Sequence, residues 1–189
     1  ASNKSMKYYK NIFKRQKKII VNSSIDPKIF KSPIKIRKTK MNIGIVANVN
    51  PDKNLELLIE IITKIKNNKF KFILIGKLWE SQINYYKKNL NSFNEIKNKL
   101  TWYKKLDKPE KIMKKFHILL CTSKFESLPL SIIESLSLSV PVISSDVGDV
   151  RRILNYKNFK CGYVVKNNDP NEFIKIMFEY LNYKKKYKQ

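Results

Sequence analysis

From residue 41 onward, short apolar runs alternate with longer stretches in which apolar residues recur every three or four positions. The runs at 42–48, 71–76, 99–103, 118–122, 140–145 and 162–165 read as strands. Helices are expected between them, at about 53–67, 80–92, 109–116, 129–138, 149–155 and 170–182. Leu55, Leu58, Ile59, Ile62 and Ile65 hold a helical period, so that segment carries one apolar face. Phe72-Ile73-Leu74-Ile75 is apolar on both faces, as a strand covered from two sides must be. Apolar strands separated by amphipathic helices predict a doubly wound α/β domain with a parallel sheet. Ligands of such a sheet lie at the carboxyl ends of its strands.

The first 40 residues depart from this pattern. They hold 13 Lys or Arg against the single acid Asp26, a local charge of +12. Tyr8, Tyr9, Ile12 and Phe13 interleave with Lys7, Lys10, Lys14 and Arg15, which predicts a basic amphipathic helix. Such a helix either packs on a domain with its lysines solvated or is drawn to anionic lipid headgroups. A short extended stretch at 18–22, a polar turn and a linker at 33–40 follow.

Across the 189 residues the formal charge is +25, from 40 basic and 15 acidic side chains. Of the basic residues 36 are Lys and four are Arg, whereas a surface that reads phosphates and bases leans on the planar fork of Arg. Lys, Ile and Asn fill 81 positions and share AT-rich codons, so genome composition alone accounts for the charge. Nucleic acid is therefore not the expected partner. An apolar share of 42% excludes a disordered chain, and no apolar run approaches the 18 residues of a membrane span. Cys121 and Cys161 lack C-x-x-C spacing, and His117 alone cannot complete a four-ligand zinc site, so buried free thiols and a structural histidine are expected. The chain opens Ala1-Ser2-Asn3-Lys4-Ser5, without an initiator Met or a signal-like apolar stretch. The expectation is a cytoplasmic protein, and the back part of a longer one.

The predicted strand ends gather the candidate chemistry. Gly is scarce, at four residues, yet Gly76 closes the second strand and Gly148 follows the fifth. Each serves either a tight turn or a close approach of backbone to ligand. After the fourth strand, Ser127 is available as an N-cap and Pro129 suits a first helical turn. The Leu130, Ser131 and Ile132 N–H groups would then lie free at a helix N-terminus, which favours a phosphate. Glu126 and Glu134 flank that turn. They serve either the helix dipole or the hydroxyls of a ribose or hexose.

Glu126 and Glu134 form an E-x7-E pair, and the segment 123–149 resembles that of retaining nucleotide-sugar glycosyltransferases of the family 4 group. Other segments resemble the same group in order. Val21-Asn22-Ser23-Ser24-Ile25-Asp26 with Phe30 is similar to the lead-in of its C-terminal domain, and residues 44–54 to its first strand and donor-phosphate loop. The segments 72–76, 141–148 and 161–165, with Asp169-Pro170, complete a likeness that covers about residues 20–181. The resemblance implies the C-terminal half of a GT-B fold, a Rossmann-like parallel sheet at 41–182, a basic lead-in and linker at 1–40, and a basic tail at 183–189. It implies transfer of a sugar from a nucleoside diphosphate to a glycan or lipid-linked acceptor, with no cofactor and no metal. The acceptor would be held by an absent N-terminal domain, of whose last strand Ala1–Ser5 is reminiscent. An anionic membrane surface is a further candidate partner.

Carried over residue by residue, the resemblance gives Lys53 the departing diphosphate and Glu126 a place beside the transferred sugar. Glu134 takes the ribose hydroxyls, and the Leu130 and Ser131 amides take the diphosphate. The donor site would also include Asn48 and Gly76, with the base lying against Tyr103, Lys104 and Lys105. The departures bear on activity. Asn48 and Asn50 stand where the group carries an Arg, Pro129 and Asp149 where it carries Gly, Arg152 where Glu is common, and His117 where Asp is usual. A degenerate, non-catalytic module that binds a nucleotide sugar or packs on a partner is the alternative.

Overall fold

A computed structural model describes residues 25, 26, 28 and 40–187, apart from 49, 67, 78, 79, 90, 157 and 158. The basic helix, the extended stretch and the linker expected before residue 40 lie outside the described residues, as does most of the lead-in that resembles the family.

Six strands form one parallel sheet. They are β1 (Met41–Val46), β2 (Phe70–Ile75), β3 (Leu100–Tyr103), β4 (Ile118–Cys121), β5 (Val142–Ser145) and β8 (Gly162–Val165). Their spatial order is β3-β2-β1-β4-β5-β8, and every neighbouring pair runs parallel. The strand order reverses between β1 and β4, so their carboxyl ends open a crevice. A small antiparallel pair, β6 (Asn155–Tyr156) and β7 (Phe159–Lys160), is the element the sequence pattern missed. Two-residue strands are too short to show a period.

The helices are α1 (Leu55–Lys64), α2 (Glu80–Asn89), α3 (Asn91–Glu95), α4 (Glu110–Met113), α5 (Leu130–Ser137), α6 (Val150–Leu154) and α7 (Pro170–Tyr187). The segment expected as one helix at 80–92 is thus two, with Asn89 and Asn91 flanking the break. Asparagine is a weak helix former, so helical propensity is low at that point in the sequence. Helix α7 runs past the expected residue 182 to Tyr187.

Alternation along each strand feeds two apolar layers. Phe72 and Leu74 of β2, with Ile118 and Leu120 of β4, face a layer completed by α1 and α7. Ile73, Ile75, Leu119 and Cys121 face the other, completed by α4, α5 and α6. The residues of the predicted stripe are all buried, as are Leu57 and Ile61, and α1 packs against both α3 and α7. Each fully buried Leu or Ile contributes about 1.5–3 kcal/mol, so this helix anchors the loop that precedes it.

At the amino end of the sheet, His117 is buried. Its Nδ1 accepts the Asn42 N–H at 2.9 Å, and Asn42 Nδ2 donates to the Lys115 carbonyl at 2.8 Å. The structural reading of His117 holds.

Candidate functional site

The crevice between the ends of β1 and β4 opens into a cleft of about 720 Å³. Its walls come from three places: the loop after β1, the ends of β2 and β3, and the segment leading into α5.

The loop after β1 is built from Asn50-Pro51-Asp52-Lys53-Asn54, and its sequence dictates a tight turn. Asn50 Oδ1 accepts the Asp52 N–H at 3.0 Å, Pro51 opens a 3-10 turn, and the Lys53 N–H reaches the Asn50 carbonyl at 3.0 Å. Asn54 takes a left-handed conformation, φ 51°, which asparagine tolerates better than most residues, and hands the chain into α1. Two bonds tie the turn to the end of β4. Thr122 Oγ1 donates to the Lys53 carbonyl at 3.0 Å, and the Lys124 N–H to the Asp52 carbonyl at 2.6 Å.

This frame aims the Lys53 ammonium into the cleft, where it pairs with Glu126 Oε1. Ser123 Oγ donates to the same oxygen at 3.0 Å. The two charged side chains are only 23% and 16% exposed, so solvent screens them less than a surface pair.

Helix α5 begins one residue later than expected. Pro129, with ψ 108°, is extended and is itself the N-cap, while Ser127 lies further upstream with its carbonyl accepting the Asp149 N–H at 3.2 Å. Ser127 is thus not the cap. The Ile132 N–H donates to the Pro129 carbonyl at 3.1 Å, which removes one of the three amides expected at the phosphate site. Leu130 and Ser131 hold the first two helical positions, border the cleft, and keep the donors that a helix N-terminus offers.

One turn into the helix, Glu134 also borders the cleft, and burial alone pushes its carboxyl above the usual value. Among the described residues its carboxylate meets no cation and no hydrogen-bond donor. A half-buried carboxylate in that state gains from ligand hydroxyls that donate to it.

The two glycines at strand ends serve backbone packing. Gly76 has φ 146°, and a Cβ there would lie 1.9 Å from the Ala47 carbonyl oxygen. Gly148 has φ 49°, and its Cβ would meet the Glu126 and Ser127 carbonyls at 2.4 Å. Gly76 in addition borders the cleft. Asn48 Oδ1 accepts the Lys77 N–H at 3.0 Å and so links the ends of β1 and β2.

Of the residues predicted for the site, Lys53, Glu126, Glu134, Leu130, Ser131, Gly76, Asn48 and Lys104 all border this one cleft. Tyr103 does not. Its ring joins the apolar layer under the sheet, and its carbonyl accepts the Gly76 N–H at 3.0 Å. Lys105, Leu106 and Pro109, just beyond it, line the wall instead. Lys77 and Ser123 were missed. The signals were present: Lys77 directly follows the strand-ending glycine, and Ser123 stands three residues before Glu126.

Asp149 and Arg152, which depart from the family pattern, answer each other in an ion pair at 3.1 Å. Both cysteines are free. Cys121 is buried, with its thiol pushed up by burial, whereas Cys161 is only half-buried against the expectation. Among the described residues, no group of three or more His, Cys, Asp or Glu side chains gathers as a metal site would, and no helix is long and apolar enough to cross a membrane.

Fold and cleft together define a Rossmann-like α/β domain whose ligand face combines lysines, helix amides and two carboxylates. Residues 26–189 match the glycosyl transferases group 1 family, and the chain belongs to it. It is 30% identical over 134 residues to the uncharacterized glycosyltransferase MJ1178 of Methanocaldococcus jannaschii, covering 70% of this chain and 36% of that one. Sucrose-phosphate synthase from Thermosynechococcus elongatus has the same fold, with a TM-score of 0.79 at 16% identity over 96% of this chain and 48% of that one. HepE from Anabaena, solved with UDP-glucose, superposes with a TM-score of 0.67 at 16% identity, over 78% of this chain and 40% of that chain. The chain thus spans about a third to a half of the proteins it resembles, and corresponds to one half of a GT-B glycosyltransferase.

Proposed function

We propose that this domain is the donor half of a retaining nucleotide-sugar glycosyltransferase of the family 4 group. The observation that carries the reading is convergence. Lys53 after β1, Lys104 after β3, and the run from Glu126 through the Leu130 and Ser131 amides to Glu134 come from three segments and border one cleft at the strand switch.

In this reading the diphosphate lies between Lys53 and the start of α5, the ribose donates to Glu134, and the base lies against 104–106. The transferred sugar donates hydroxyls to Glu126. In the transfer, the acceptor oxygen bonds the anomeric carbon and gives up its proton to the medium. The bond from that carbon to the phosphate oxygen breaks, and its electron pair stays on the phosphate. Charge grows where Lys53 and the helix amides stand, which is where fixed donors accelerate a reaction most. The acceptor, a glycan or a lipid-linked sugar, would be held by a domain outside this chain on the cytoplasmic face of a membrane. Asn48 and Asn50 in place of an Arg favour a second reading, a non-catalytic module that still binds the donor.

Calorimetry on the 189-residue chain tests the donor site. UDP, the nucleotide portion of the ligand that HepE holds, is the first ligand to try, followed by GDP and ADP. Lys53→Ala and Glu134→Ala should each weaken binding by about 1–3 kcal/mol, the range for hydrogen bonds to charged groups. Affinity unchanged in both would remove the assignment. The basic segment 1–40 supports peripheral membrane attachment. Its binding to anionic liposomes should vanish near 0.5 M salt, where the Debye length is only about 4 Å, and equal sedimentation with neutral lipid would show the charge to be idle.

A further inference from the structure

The cleft is lined by four lysines, Lys53, Lys77, Lys104 and Lys105, and by two glutamates. Among the described residues, one of these lysines is held by a carboxylate: Lys53, paired to Glu126. The pair is built rather than incidental. Ser123 holds the accepting oxygen of Glu126, Thr122 holds the carbonyl of Lys53, and both side chains are mostly buried.

An anion that approaches Lys53 therefore meets Glu126 at the same time. The two ligands of the donor-site reading differ in how much that costs. In a nucleotide sugar the outer phosphate is a diester with one charge, and the sugar attached to it can donate hydroxyls to a carboxylate. In the bare nucleoside diphosphate the same phosphate is terminal. Its second ionisation lies near pH 6, so at neutral pH it carries about −1.5 to −2 and offers no hydroxyls.

We propose that Glu126 is a specificity-determining residue. As the fixed counter-charge of Lys53, it makes the cleft prefer a nucleotide sugar over the bare nucleoside diphosphate and so favours release of the spent nucleotide after transfer. This rests on the donor-site reading and adds to it a direction of preference.

The test uses the full 189-residue chain and calorimetry. The ligands are whichever of UDP, GDP and ADP binds the unaltered chain most tightly, and its glucose ester. Glu126→Gln keeps the shape and removes the charge. It should tighten the nucleoside diphosphate about fivefold or more and leave the glucose ester unchanged or weaker, so the preference narrows or inverts. Glu126→Asp, which keeps the charge, and Ser123→Ala, which leaves both charges in place, should preserve the preference for the ester. Circular dichroism confirms that each variant is folded. A Glu126→Gln chain that binds the diphosphate no more tightly than the unaltered chain overturns the role of Glu126 and leaves the donor site standing. Absence of nucleotide binding in every variant overturns the donor site and this role with it.

Discussion

At the amino end of the sheet, the His117 ring accepts the Asn42 N–H, and Asn42 reaches the Lys115 carbonyl. At the carboxyl end, Glu134 is half-buried without a donor among the described residues, and the Lys53–Glu126 pair sits in the wall of a cleft. The backbone differs less than the side chains do. Both ends are held by backbone hydrogen bonds, and the carboxyl end adds two glycines on which neighbouring carbonyls rest. One end is closed within the chain, whereas the other is a rigid frame carrying side chains whose needs are only partly met. Fixed backbone with uncommitted polar groups is the arrangement that binding requires, because the geometry is set before the ligand arrives.

The sharpest way to break that contrast is to deform the frame. Gly76→Ala would drive a methyl into the Ala47 carbonyl at a φ of 146°. Backbone strain alone costs about 1–3 kcal/mol, and the contact adds to it, so a loss near 3 kcal/mol in urea unfolding is expected, together with loss of nucleotide binding. Stability within about 0.5 kcal/mol of the unaltered chain would mean that the strand ends are softer than the packing implies.

His117→Ala probes the opposite end. It leaves the buried Asn42 N–H without its acceptor, which costs about 1–3 kcal/mol. Nucleotide affinity should be unchanged in calorimetry at a temperature where the variant stays folded. A matching loss of affinity would show that the two ends are coupled through β1 and β4.

How far the sequence revealed this molecule follows from the same contrast. Strands β1, β2 and β4 were legible because, Asn42 and the exposed Lys71 apart, their residues are apolar or small and buried on both faces, and their observed limits fall within two residues of the expected ones. The α2–α3 break was not legible, since a helical period continues across it. At the site, the residue types and the strand-end placement of Lys53, Glu126 and Glu134 were readable from motif spacing. The pairing of Lys53 with Glu126 was not, because it depends on how two loops lean together through Thr122 and Lys124. Tyr103 was misplaced for a related reason. Alternation along β3 turns its ring under the sheet, and the wall is made by the residues after it.

The smallest expected effect is the most diagnostic of the uncommitted end. Burial holds the Glu134 carboxyl above its usual value, so folding favours the protonated form. The stability from that form is fully present below the unfolded value, near 4.3, and is lost as pH rises through the folded one. Above the raised value the free domain bears an ionised carboxylate that burial disfavours, and Glu134→Gln should raise the unfolding midpoint in that range. Ligand binding should run the other way. Ribose hydroxyls favour the ionised form, so affinity should fall by at most about tenfold per pH unit as pH drops below the raised value, one proton being taken up. A nucleotide sugar is the right ligand for this measurement, since its diester phosphates do not titrate in that range and a terminal phosphate does. Glu126, the other carboxylate in the cleft, is present in both proteins and cancels in the comparison. Above the raised value Glu134→Gln should bind about fivefold more weakly, on the order of one hydrogen bond to a charged group, with a flatter pH profile. A variant with the unaltered slope would assign the titration to another group and leave Glu134 as a helix residue with no part in the ligand.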